Sequence, residues 1–319
     1  MRRFALVVAV TMAAALAGCA QGGGPHRWHD GRLFVATGNT SGVFYQFGGG
    51  YADLISQYLP GYEARAEPTG ASGDNVARIV SGDMDVALCN GDTAADAAIG
   101  HGAYQGKPLP VRALARLYRN TMQVVVRGDQ NIHAIADLRG KRVSTSTLNS
   151  GTDVLAGRML EAAGLNPDSD IRRLRLSLSE TVNGMRSGTV DALFFTGGLP
   201  TPGITDLIDS APGKFVVLPT AALLSALQSK FGQAYTEAPI GKAVYHTPAD
   251  IDTIVVPTML LVSATMPDDL AFQLTRLLFV HQSELAKVHP EGANFDLANG
   301  PKTDPVPLHP GAVRYYRGK

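Results

Sequence analysis

The sequence predicts an α/β protein built as two lobes around one cleft, and three observations carry that prediction. From Leu33 onward, short apolar runs of strand length alternate with stretches of helical period, the pattern of mostly parallel sheets flanked by helices. The phrase SGDMDVAL at 81–88 returns as SGTVDALF at 187–194, as two halves of similar construction would produce; chance similarity at turns is the alternative. Two apolar runs, at 122–126 and 253–262, stand where the chain would cross into a second lobe and back, with Pro257 marking a bend. A chain of 319 residues also exceeds what a single core usually fills. The crossings divide it into a first lobe of 32–122 plus 257–319 and a second lobe of 123–256.

The beginning of the chain is set apart from the fold. Arg2 and Arg3 precede an apolar stretch at 4–16 that is too short to span a bilayer, and Leu16-Ala17-Gly18-Cys19 follows. This resembles the lipobox of bacterial lipoproteins. It predicts a signal peptide at 1–18, a lipidated Cys19 and a tether at 19–31; a plain secretory signal is the alternative, and either one exports the chain. Lys plus Arg and Asp plus Glu each number 28, so charge offers no footprint for nucleic acid. Cys89, the second of two cysteines, closes an apolar strand pattern and reads as a core residue, not a nucleophile.

The first strand, 33–36, opens into TGNTSGVFYQFGGG at 37–50, a loop of small polar residues running into a helix. Backbone N–H groups at the helix start, with the positive end of its dipole, suit a carboxylate or phosphate. Asn39, Thr40 and Ser41 supply polar groups there, and Phe44, Tyr45 and Phe47 supply aromatic walls. The glycines match neither the dinucleotide nor the P-loop pattern, so an ordinary strand-to-helix turn stays open as a reading. A second strand, 63–69, leads through Ser72 and Asn75 into a helix at 76–80, and a third, 86–90, ends in Asn90. Ligands of open α/β sheets lie beyond the carboxyl ends of the strands, where these polar residues fall.

Strands follow at 111–117 and 122–126, then a short helix and turn at 137–143. The segment STSTLNSGTD at 144–153 precedes a helix at 154–164, so Asn149, Ser150, Gly151 and Thr152 repeat the opening device in the second lobe. N-capping is the plainer role for Ser150 or Thr152 taken alone. A strand at 174–178, a helix at 179–186 and a strand at 192–196 lead to a loop in which Thr196, Gly198 and Pro200 face the cleft. A strand at 215–218, a helix at 221–231, the returning strand and an amphipathic helical region at 268–289 complete the pattern.

No catalytic or metal-binding constellation is assembled. The eight histidines lie apart without ligand spacing, no GxSxG elbow occurs, and Asp153 is the one acid placed in the cleft. The reading therefore contains no catalytic residue, metal or cofactor. An enzyme on the same scaffold is the alternative from another class.

Six phrases in order resemble the TAXI family, the solute-binding components of TRAP transporters. They are TGNTSGVFYQFGGG, GASGDNVARIVSGDMDVAL, VVVR with LRGKRVS, NSGTDVLAGRMLEAAGL, FFTGGLPTPGI and PLHPGAVRYY, and they span 33–316. The resemblance implies a two-lobed periplasmic binding protein of type II-like form, held at a membrane only through lipid on Cys19. It implies capture of a small carboxylate-bearing solute, an amino acid such as glutamate or an organic acid, for integral-membrane permease subunits driven by an ion gradient. It implies ligand-binding positions at Thr40, Ser41, Tyr45, Ser150, Gly151 and Thr152, with Ser72, Asn75 and the loop at 196–200 lining the pocket. Tyr45→Ala is then expected to weaken binding while the melting temperature without solute stays nearly unchanged.

The chain departs from the family where the third strand ends in Asn90-Gly91 in place of Gln-Ser, and where Asn149 replaces a glycine. Arg116 and Arg119 near the crossing admit a ligand carboxylate, an interlobe salt bridge or a solvated face. The same fold would equally suit an ATP-driven importer or a sensor.

Overall fold

The computed structural model describes residues 27–319. The predicted signal peptide and Cys19 lie outside the described residues. Of the predicted tether, Trp28–Gly31 forms a turn fastened to the sheet: Trp28 Nε1 donates to Asp85 Oδ1 at 2.7 Å, and His29 Nδ1 lies 2.7 Å from the same oxygen.

Strand β1 (Arg32–Ala36) pairs in parallel with β2 (Glu63–Glu67) and β3 (Val86–Asn90), with α1 (Val43–Tyr58) and α2 (Ser72–Ser81) as the crossovers. Helix α3 (Gly91–Ile99) leads to the long strand β4 (Val111–Arg127). The second half contains β5 (Arg142–Ser144), α4 (Gly151–Ala162), β6 (Arg172–Leu174), α5 (Leu178–Ser187) and β7 (Ala192–Gly197). It continues through α6 (Pro202–Asp209), β8 (Phe215–Leu218), α7 (Leu224–Phe231) and β9 (Thr236–Ile240). Strand β10 (Ile251–Ser263) returns, and α8 (Asp268–Val280), α9 (Gln282–Val288) and α10 (Pro310–Arg317) follow it. One sheet runs β2-β1-β3-β10-β4-β7-β5-β6, with β8 on β4 and β9 on β10.

Strands β4 and β10 belong to both halves. Leu114 and Tyr118 of β4 pack with Leu260 and Val262 of β10 against Phe47 and Leu274, while Ala113 and Leu261 meet Val76 and Ile79 on the other face. Further along, Met122 and Val124 pack with Ile254 and Val256 against Leu155 and Met159, and Val125 faces Leu178 and Ile204. Each half thus buries both faces of its sheet under helices, the arrangement that parallel sheets require.

The two strands expected at 111–117 and 122–126 are one strand of 17 residues, because nothing between them breaks extended backbone. Pro257 does not end β10 either; it sits opposite Arg119 at a register shift, where its missing N–H is tolerated. The strand expected at 174–178 stops at Leu174. Ser177 instead caps α5, its hydroxyl accepting from Glu180 N while its N–H donates to the Glu180 carboxylate. Strand β9 carries Pro239 and pairs only with β10, which hid it from the sequence pattern. The helical region at 268–289 breaks at His281 into α8 and α9.

The repeated phrase is a repeated piece of structure. Gly82 (φ 85°) and Gly188 (φ 80°) end α2 and α5 in the left-handed conformation. Three residues on, Asp85 accepts from Phe34 N at 2.8 Å and Asp191 accepts from Arg142 N at 2.9 Å. In each half the acid ties a new strand to its parallel neighbour.

Candidate functional site

Beyond the carboxyl ends of β1, β3 and β7 the halves meet around a cavity of about 30 Å³, little more than the room one water takes. Asn39, Ser72, Asn90, Ser150, Gly151, Thr152 and Thr196 line it together. Across the gap Asn90 Nδ2 donates to Thr196 Oγ1 at 3.1 Å, and within the second half Thr196 N donates to Thr152 Oγ1 at 3.0 Å. Ser72 Oγ accepts from Asn90 N at 3.0 Å, and Asn120 Nδ2 donates to Asn90 Oδ1 from the long strand β4. Asn39 Oδ1 accepts from Leu178 N at 3.2 Å, joining the α1 loop to α5. Phe44, Ser146 and Phe195 also line it; Phe44 and Ser146 stand in the two polar segments that the sequence singled out, and Phe195 lies in the strand before the third loop.

No lining side chain carries a charge. The electrostatics come from the backbone, because α1, α2 and α4 all begin at this cavity. The N–H groups of Val43, Phe44, Ser72, Gly151 and Thr152 have no acceptor among the described residues. First-turn amides are left unpaired by helix geometry, and their dipoles favour negative charge. Three such termini around one cavity present donors and positive dipole ends of the kind that suit a compact anion.

Glycine permits the approach of the two sides. A Cβ on Gly151 would lie 2.5 Å from Asn90 Nδ2 and 2.6 Å from Ser72 Oγ, and one on Gly73 would lie 2.4 Å from Asn149 O. Gly73 N donates to that same carbonyl at 3.1 Å. Asn149 itself has φ 60°, a left-handed conformation that asparagine tolerates, so its glycine-like position is kept for the backbone.

The other predicted residues fall elsewhere. Thr40 is exposed, and Ser41 Oγ lies 3.3 Å from Ser179 Oγ at the rim. Tyr45 is half-buried and does not line the cavity; one helical position turns about 100°, so Phe44 faces it instead. Asn75 is wholly buried, its Nδ2 donating to Thr37 O and Leu88 O, each at 2.7 Å, which ties the residue after β1 to the middle of β3; it does not line the cavity. Asn149 contributes its carbonyl to the interlobe seam. The loop of Gly198 and Pro200 docks on the C-terminal segment: Leu199 N donates to Glu291 Oε1 at 2.9 Å and His289 Nε2 lies 3.0 Å from Pro200 O. Arg116 and Arg119 do not line the cavity; burial and then the neighbouring Arg119 lower the pKa of Arg116.

Asp153, the acid of the enzyme alternative, is engaged on both oxygens. Thr145 Oγ1 and Arg173 Nη2 each donate to Oδ1 at 2.6 Å, and Arg175 Nε reaches Oδ2 at 3.4 Å. Cys89 is fully buried, and that burial pushes its thiol far up from reactivity. A second, open groove of about 1380 Å³ runs between α3 and α4 and is lined by charged side chains, among them Asp92, Asp96, Arg158 and Arg175. Burial raises the Asp92 carboxyl, with Arg158 opposing the shift. Among the described residues no helix is long and apolar enough to cross a membrane.

Two α/β halves that share two strands and enclose a polar cavity define the two-lobed fold of periplasmic binding proteins. The alkanesulfonate-binding protein SsuA of Xanthomonas axonopodis pv. citri, bound to MOPS, superposes with a TM-score of 0.51 at 15% identity, covering 91% of this chain and 84% of that one. PhnD1 of Prochlorococcus marinus in complex with methylphosphonate gives 0.55 at 12% identity, covering 82% and 90%. An ancestral arginine-binding protein bound to arginine gives 0.51 at 15% identity, covering 82% and 97%. In sequence, residues 35–319 match the NMT1-like family, and the chain belongs to it.

Proposed function

We propose that this protein is the extracytoplasmic solute-binding subunit of a membrane transporter, closing its lobes on the anionic head of a small solute. The observation that carries the reading is the set of unpaired first-turn amides from α1, α2 and α4 around a cavity without a charged side chain. A carboxylate, sulfonate or phosphonate head accepts from such donors, whereas a cationic head would face three positive helix ends and no counter-charge. The alkanesulfonate-binding protein and the methylphosphonate complex of the same fold support an anionic head.

The TAXI-like phrases favour a carboxylate, with an ion-gradient-driven permease as partner and lipid on Cys19 holding the protein in the periplasm. The putative L-cystine ABC transporter of Listeria monocytogenes, which shares the fold, supports an ATP-driven importer as the second reading. Crosslinking in the native membrane separates them by the subunit captured. We assign 32–122 with 257–319 to the first lobe and 123–256 to the second, because β4 changes packing partners between Tyr118 and Met122. A binding role, not catalysis, fits an Asp153 already paired with arginine and a Cys89 sealed in the core.

A thermal-shift panel of glutamate, dicarboxylates, methylphosphonate and short alkanesulfonates tests this, with amides and amines of matching shape as controls. A bound solute raises the melting temperature by mass action. At least one anion should do so while its amide does not. Stabilisation by uncharged or cationic solutes alone would refute the anion site.

A further inference from the structure

We infer that Arg158 is a latch holding the two lobes together without touching the solute. The inference rests on the two-lobed reading above, yet it concerns side chains on the opposite side of the Gly73–Asn149 seam from the cavity. Arg158 leaves α4 and reaches α3 in the other half. Its Nη2 pairs with Asp96, and its Nη1 lies 3.5 Å from Asp92 Oδ2. The same Nη1 donates to Tyr235 Oη at 2.7 Å, and that hydroxyl donates on to Asp92 Oδ2 at 3.3 Å. The Phe231 ring lies 5.3 Å beneath the guanidinium carbon.

This is not an ordinary surface pair. The Arg158 side chain is 12% exposed, that of Asp92 1% and that of Asp96 15%. Exposed single pairs are worth little, whereas a planar guanidinium held by two carboxylates and a phenol is oriented as well as attracted. Apart from Arg158 and Tyr235, the Asp92 carboxylate is met among the described residues only by Thr93 N, at 2.8 Å. Separation of the halves therefore leaves this acid without a cation.

The latch rides on the elements that make the cavity. Helix α4 begins at Gly151, and Arg158 stands two turns further, about 10 Å along its axis. Helix α3 follows Asn90 directly, with Asp92 and Asp96 on its first and second turns. Rigid motion that brings Gly151 to Asn90 brings Arg158 to the two acids. Arg158 then sets affinity through the population of closed molecules, since apparent affinity falls with the competent fraction.

Small-angle X-ray scattering of the protein without added solute tests this, so the outcome does not depend on which solute class is right. Wild type should scatter as the compact closed form. Arg158→Gln and Asp96→Asn should each enlarge the radius of gyration by on the order of 1 Å, as hinge opening does. The exchange Arg158→Glu with Asp96→Arg should return the profile toward wild type, which a merely structural loss would not. Circular dichroism confirms folding of each variant; if Arg158→Gln does not fold, Asp96→Asn decides. Wild type already scattering as an open form, or folded single variants superposing on it, overturns the latch.

Discussion

At the scale of single residues, the cavity depends on where side chains are missing. Gly151 has no room for a Cβ only because Asn90 and Ser72 close on it from the other half. In Gly151→Ala the clash arises on closure, so solute affinity should fall at least roughly tenfold through loss of the closed state. Calorimetric titration measures this, and wild-type affinity would show that closure to this distance is unnecessary. Phe44→Ala should weaken binding more than Tyr45→Ala, because Phe44 lines the cavity and Tyr45 does not; equal losses would return Tyr45 to the site. The small polar loops before helices were legible in sequence because that signal is local: Asn39, Ser72 and Thr152 each lie in such a loop or at the helix start it leads into. The choice between adjacent aromatics was not legible. It depends on how α1 is rotated against the other half, as does the reach of Arg158 to Asp92.

At the scale of elements, two ties carry measurable consequences. Asn75 satisfies the carbonyls of Thr37, just past β1, and Leu88, within β3, so Asn75→Ala strands buried acceptors and should cost about 2–4 kcal/mol in denaturant unfolding, with affinity per folded molecule retained. Lost binding with unchanged stability would make Asn75 a ligand residue after all. Asp191 lies below the usual carboxylate range, chiefly through its bond from Arg142. A depressed folded pKa gives stability that is present above the ordinary carboxylate value and lost as pH falls through the folded one. Asp191→Asn should therefore flatten the acid limb of the stability curve and leave the alkaline limb alone; an unaltered acid limb would count against the tie. Alternation of strand and helix was legible from apolar period. The capping box at Ser177 was present in sequence as S-x-x-E but was masked by the alternating apolar residues before it. Strand β9 could not be seen, because Pro239 is compatible with an edge only once β10 is known to lie beside it.

At the scale of the molecule, two lobes do not imply two independently melting domains. Strands β4 and β10 supply side chains to clusters on both sides of the crossing, and one sheet runs unbroken through ten strands. Unfolding the second half alone would strip Met122, Val124 and Val126 from their partners while Leu114 and Tyr118 on the same strand stayed packed. That boundary would fall inside the paired length of β4 with β10, which shifts register beside Pro257 but keeps pairing on both sides and offers no linker to absorb it. Heating without solute should therefore give one transition, with calorimetric and van't Hoff enthalpies equal. Arg158→Gln separates the two possible sources of coupling. If the shared strands supply it, the variant melts lower but still in one step, since the ladder is untouched. Division of its melt into two steps would mean that the groove contacts, and not the sheet, make the halves unfold together.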